Sequence, residues 1–163
     1  IPSAIWDWLI EHRWLISVNS RGGDWLSWIP ILDRHADLRL LVSHLGLPPS
    51  FSEPPSAAVA RQALGDVLDF ARFAGPRVKL SGFYALTEPG YDYPHTAAWP
   101  YVEALLDAYG SDRLLWASDF SPCLNSLTYP QTLGLFSKMP FLDDTARQEI
   151  EGENLLQLLS EVS

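Results

Sequence analysis

Apolar positions along the chain alternate between the helical and the extended period, with breaks of Gly, Pro and Asp between them. From Ser3 to His12, the residues Ile5, Trp8, Leu9 and His12 recur at i, i+3, i+4 and i+7, which predicts a helix entered through Pro2. Trp14 to Asn19 reads as a strand, Arg21-Gly22-Gly23-Asp24 breaks the pattern, and Trp25 to His35 resumes helical spacing around a disturbing Pro30. Leu38 to Ser43 is a second apolar strand. The prolines between Gly46 and Pro55 exclude regular structure there, because each lacks an amide hydrogen and fixes its own φ. Ser56 can cap a long helix with Val59, Ala63, Val67 and Phe70 on its apolar face, ending near Gly75-Pro76. Val78 to Ser81 gives a third strand, Gly82 to Ala98 a long loop, Pro100 to Tyr109 a helix closed by Gly110, and Leu114 to Ala117 a fourth strand. Helical spacing returns over Pro130 to Lys138, Asp144 to Glu151 and Asn154 to Ser160.

Strands that each lead through a loop into a helix predict a parallel sheet, since parallel neighbours need a crossover connection. Their nearly pure apolar content suits a sheet covered on both faces. The fold class is α/β, closed either as an open doubly wound sheet or as part of a (β/α)8 barrel. A whole barrel needs about 250 residues, and the chain has 163.

Composition narrows the function. With 47% hydrophobic and 19% charged residues the chain can fill one core, so residues 1–163 are read as a single domain. Eleven Lys+Arg against 20 Asp+Glu leave a net charge of −9 without a basic run, which argues against nucleic acid and anionic membrane surfaces as partners. No apolar stretch approaches the roughly 18 residues of a spanning helix. The first residues lack the order of a secretion signal and the lone Cys123 has no internal partner, so the reading is a cytoplasmic protein.

Three polar residues follow apolar strands at the end where α/β folds build their sites: Asn19, His44 and Asp119. Strand parity aligns Leu40, Val42 and His44 on one face, and Leu115, Ala117 and Asp119 on one face of theirs, so both polar groups are expected to point into the same interior. An imidazole that holds a metal or polarises a carbonyl, beside a carboxylate that takes a proton from water, suits hydrolysis. The blander alternatives are a histidine bonded to a backbone carbonyl and an aspartate capping its loop. Lys79 sits inside a strand, where it needs a carboxylate, a cavity or an edge facing water. Arg21 is placed to fork onto a substrate carboxylate, or is simply solvated. Tyr84, Tyr91, Tyr93 and His95 make either a pocket lid or a loop packed on itself. No Gly-x-Ser-x-Gly elbow, phosphate-binding glycine loop or zinc-ligand spacing occurs; the histidines His12, His35, His44 and His95 are scattered.

Leu41-Val42-Ser43-His44-Leu45-Gly46-Leu47-Pro48, Val78-Lys79-Leu80-Ser81-Gly82 and Arg113-Leu114-Leu115-Trp116-Ala117-Ser118-Asp119-Phe120-Ser121-Pro122 resemble three successive signatures of the amidohydrolase superfamily. Glu151-Gly152-Glu153-Asn154-Leu155-Leu156 is similar to its closing helix. The branch it resembles is the amidohydrolase-2 group, with its pyrone-dicarboxylate lactonases and zinc-dependent decarboxylases. The resemblance implies the C-terminal half, strands five to eight, of a TIM (β/α)8 barrel, with the N-terminal half missing.

It also implies roles. His44 and Asp119 match the sixth-strand histidine and eighth-strand aspartate, as metal ligands and as the catalytic pair in which Asp119 activates water. Asn19 stands near the point where the fifth strand often gives a metal-binding histidine, which favours one divalent metal (zinc) or none over a two-metal site. Arg21, Asn19, Lys79 and Tyr84 become candidates for holding an anionic substrate. The expected function is hydrolysis of a small carboxylated lactone or similar carbonyl compound. The alternatives are zinc-dependent non-oxidative decarboxylation on the same fold, or an inactive fragment whose two open edges are covered by a second copy in a homo-oligomer.

Overall fold

Four short strands, β1 (Leu15–Val18), β2 (Arg39–Val42), β3 (Arg77–Leu80) and β4 (Leu114–Trp116), pair in parallel in the order β1-β2-β3-β4 in a computed structural model that describes residues 2–162. The register pairs Val18 with Val42, Val42 with Val78 and Val78 with Leu114. A doubly wound sheet reverses its strand order at a switch point. Here each strand simply adds beside its predecessor, which is the order of a barrel wall. Leu40, Val42, Val78, Leu80 and Leu114 are fully buried under the helices, and the alternate positions Ser17, Leu41 and Lys79 lie on the opposite, inner face.

The helices cover the outer face: α1 (Ser3–Glu11), α2 (Ile29–Leu32), α3 (Ala57–Leu64), α4 (Asp66–Asp69), α5 (Trp99–Tyr109), α6 (Tyr129–Leu133), α7 (Asp144–Gln148) and α8 (Asn154–Glu161). The predicted helix Trp25 to His35 is instead a 3₁₀ segment, Gly22–Trp28, running into the short α2. The long helix begins as expected at Ser56, whose hydroxyl accepts from the Val59 amide, but breaks at Gly65 (φ +41) into α3 and α4. That break lets Val67 and Phe70 turn into the core with Leu64 and Leu105. The predicted helix Pro130 to Lys138 divides into α6 and a 3₁₀ turn, Phe136–Lys138, while α7 and α8 are joined through a π turn, Glu149–Glu153.

Asn154 explains its place at the head of α8. Its amide nitrogen donates to the carbonyls of Ser111 (2.7 Å) and Leu114 (2.8 Å), tying the closing helix to the start of β4. Among the described residues no helix is long and apolar enough to cross a membrane.

Candidate active site

The site lies where β2, β3 and β4 end. Strand β2 stops at Val42, and the chain turns through His44 (φ +53) and Leu45 (φ +56) into a 3₁₀ turn, His44–Gly46. A left-handed residue other than glycine costs about 1 kcal/mol or more, so the turn needs support. Trp25, 2% exposed, supplies it by donating its indole N–H to the Gly46 carbonyl at 2.8 Å.

The turn corrects the parity expectation. Leu40 and Val42 face the helices, and Leu115 lies opposite Lys79 on the inner face, so simple alternation would have sent His44 and Asp119 to opposite sides. The left-handed conformation swings the imidazole back to the mouth, where His44 Nδ1 lies 3.9 Å from Asp119 Oδ2. Asp119 is itself left-handed (φ +51), and both side chains remain about a fifth exposed.

Two neighbours hold the pair. The Tyr84 hydroxyl donates to Asp119 Oδ2 at 2.6 Å and so restrains the carboxylate. Ser81 Oγ lies 2.9 Å from His44 Nδ1, and Nε2 has no partner among the described residues. One ring nitrogen is thereby tethered and the other presented to the mouth. Gly82 (φ +70) makes the approach possible, because a Cβ there would lie 2.9 Å from His44 Nδ1. The sequence carries Ser81 and Gly82 only as the end of the segment 78–82, with no site role; the strand stops at Leu80, and this places both at the mouth.

Burial pushes the His44 imidazole below its ordinary pKa, with Asp119 opposing the shift and Lys79 reinforcing it. It is therefore neutral at neutral pH. Burial also lowers Lys79 from the usual lysine range, again opposed by Asp119. Lys79 stands on an interior strand, which excludes the edge alternative, and its ammonium donates to Ser17 Oγ at 2.7 Å, with Ser43 Oγ 3.4 Å further along. Burial and the hydrogen bond to Asp119 raise Tyr84 well above the usual phenol range, so it stays protonated as a donor.

Other candidates fall outside this cluster. Asn19 is exposed and makes no side-chain hydrogen bond among the described residues. Arg21 is exposed at the head of the Gly22–Trp28 segment and lines a separate rim cavity of about 500 Å³ with Leu47, Pro48 and Ser50. Of the loop aromatics only Tyr84 reaches the site. Tyr91 is 73% exposed, and His95 is buried against Phe83 and Tyr93, so the loop packs on itself.

The chemistry of the donors also sets what metal the residues could hold. His44 and Asp119 are donors suited to zinc, but a catalytic zinc takes three protein ligands, and the described residues contain no group of three metal-binding side chains. By themselves they do not complete a zinc site.

An amidohydrolase from Burkholderia multivorans, solved with bound zinc, superposes with a TM-score of 0.79 at 19% identity, over 97% of this chain and 56% of that one. A protein described as a 2-pyrone-4,6-dicarboxylic acid hydrolase, from Pseudomonas putida, superposes with a TM-score of 0.71 at 19% identity, over 96% of this chain and 55% of that one. Another described as such a hydrolase, from Acinetobacter baumannii with citric acid bound, gives 0.69 at 18% identity, over 93% and 54%. The chain thus spans little more than half the length of the structures it resembles, and its sheet is half of their TIM barrel. No curated protein matches its sequence. The family model described as Amidohydrolase (Amidohydro_2) matches residues 2–159, and the chain belongs to the amidohydrolase family.

Proposed function

We propose that this chain carries part of the catalytic mouth of a hydrolase acting on a small carboxylated lactone or a similar carbonyl compound, with Asp119 as general base. The observation that supports it most is the fixed carboxylate: Asp119 Oδ2 is held by Tyr84 beside the imidazole of His44, at the carboxyl ends of parallel strands. In the proposed step a water proton passes to the Asp119 carboxylate while the water oxygen bonds to the carbonyl carbon. The ring C–O bond then breaks, and the leaving oxygen takes that proton back from Asp119. Neutral His44 faces the carbonyl oxygen through Nε2. Lys79 supplies positive charge for a substrate carboxylate from the inner face; Arg21, in the separate rim cavity, and the uncharged amide of Asn19 are the remaining candidates for binding the distal part of the substrate.

The bound zinc of the Burkholderia relative favours a second reading, decarboxylation assisted by zinc held partly by His44 and Asp119. Residues 1–163 are proposed as a single partial barrel domain with a small-molecule substrate.

The test is hydrolysis of 2-pyrone-4,6-dicarboxylate, followed by loss of its ultraviolet absorbance, by the protein carrying this chain. Asp119→Asn should lower kcat by about a thousandfold with little change in KM. A variant that turns over at the native rate overturns the general-base role, and a native protein that leaves the lactone intact overturns the substrate class. Stoichiometric zinc bound through His44 would move the reading to decarboxylation.

A further inference from the structure

A second constellation of reactive groups lies away from this mouth. Ser3 Oγ is 3.1 Å from His35 Nε2, and His35 Nδ1 is 3.1 Å from Asp7 Oδ1. A carboxylate only accepts, so Nδ1 of the neutral ring carries the proton for Asp7 and Nε2 is left to accept from the Ser3 hydroxyl. Each nitrogen thus faces the partner it has in a serine nucleophile–base–orienter chain, an arrangement recognised by geometry and not by sequence order.

Local structure builds it from two elements. Ser3 and Asp7 lie at i and i+4 on one face of α1, and His35 follows α2. The imidazole is 7% exposed, and packing fixes its plane. Ser3 is exposed and lines a cleft of about 120 Å³ with Trp6, Pro30, Ile31, Arg34 and His35. At roughly 30 Å³ per water, that volume admits an acetyl-sized group against Trp6 and Ile31.

A developing oxyanion also has a donor. Ser3 is the first residue of α1, the Pro2 cap contributes no side-chain hydrogen bond, and the Ile5 amide already bonds to the Pro2 carbonyl. The Ala4 amide is one of the helix's leading N–H groups and follows the nucleophile directly, the relation used in known oxyanion holes.

We propose that Ser3, His35 and Asp7 form a nucleophilic triad that accepts short acyl groups from carboxylic esters, independent of the mouth around Asp119. Ser3 Oγ attacks the ester carbonyl and its proton passes to His35 Nε2. The C–O bond to the alcohol then breaks, and the leaving oxygen takes the proton from Nε2, leaving Ser3 acylated. Water, deprotonated by His35, cleaves the acyl-serine to the carboxylic acid and restores Ser3. Asp7 is 68% exposed, so solvent weakens its hold on the ring in both steps; with an activated ester whose phenolate leaves more easily than the serine oxygen of the acyl-serine, acylation outpaces release.

The experiment treats the protein carrying this chain with p-nitrophenyl acetate and maps acetylation by peptide mass spectrometry. The expected result is a burst of p-nitrophenolate with the acetyl group on Ser3. The burst should be lost in Ser3→Ala, slowed about a hundredfold in His35→Gln, and retained in Ser27→Ala, an exposed serine elsewhere. Because Ser3 is exposed, Ser3→Ala should keep the native circular dichroism, so loss of the burst is not loss of the fold. An unchanged burst in Ser3→Ala, or acetylation only on other residues, overturns the proposal.

Discussion

His95 offers a quantitative test of how the long loop after β3 is held. Its side chain is fully buried, neither ring nitrogen has a partner among the described residues, and the ring lies beside Phe83 and Tyr93. Burial lowers its pKa from 6.5 to about 4, with Asp92 opposing the shift. An unfolded chain binds a proton at His95 as the pH falls below 6.5, whereas the folded chain does not until about pH 4. Stability contributed by the neutral ring is therefore present above pH 6.5, declines through that window and levels off below it. At about 1.4 kcal/mol per pH unit the loss is about 3 kcal/mol, a sizeable part of the 5–15 kcal/mol typical of a domain. The assay is urea unfolding, followed by tryptophan fluorescence from pH 7 down to about pH 4. Native chain and His95→Phe should be compared, since Phe keeps an aromatic ring beside Phe83 without a titratable nitrogen. Phe strains the left-handed backbone (φ +60) equally at every pH, so the readout is the slope. The native curve should fall more steeply than that of His95→Phe by about 3 kcal/mol across the window. Parallel curves would refute the reasoning.

Two other substitutions probe the frame of the site. Asn154→Ala strips two backbone carbonyls of their donor and should cost about 2–3 kcal/mol in chemical denaturation; a loss under about 0.5 kcal/mol would deny the closing helix this anchor. Gly82→Ala puts a methyl group 2.9 Å from His44 Nδ1 on a backbone with φ +70, so the His44 ring resonances should shift while those of the distant His12 stay; unchanged His44 signals would contradict the crowding.

Much of this fold was legible because apolar strand runs and helix caps are local signals. Ser56 and Gly110 mark ends that the structure keeps. The break at Gly65 was not legible, since a lone glycine inside a helical pattern is compatible with either outcome. The site shows the same division. His44 and Asp119 stood out because they follow apolar strands, yet their meeting depends on a left-handed turn that alternation does not describe. Lys79 could be flagged as needing company, but its partner proved to be the hydroxyl of Ser17, 62 residues away in sequence. Ser3 and His35, separated by 32 residues, left no local signal at all. Contacts of that kind are made by packing, and only coordinates display them.

The account depends most on the imidazole of His44 and the carboxylate of Asp119 facing one another across the mouth. Titration of the His44 ring by NMR, in the native chain and in Asp119→Asn, measures that encounter directly. Burial predicts a His44 pKa below 6.5, and removal of the opposing Asp119 charge should move it lower still. An identical His44 titration in the two proteins would contradict the account.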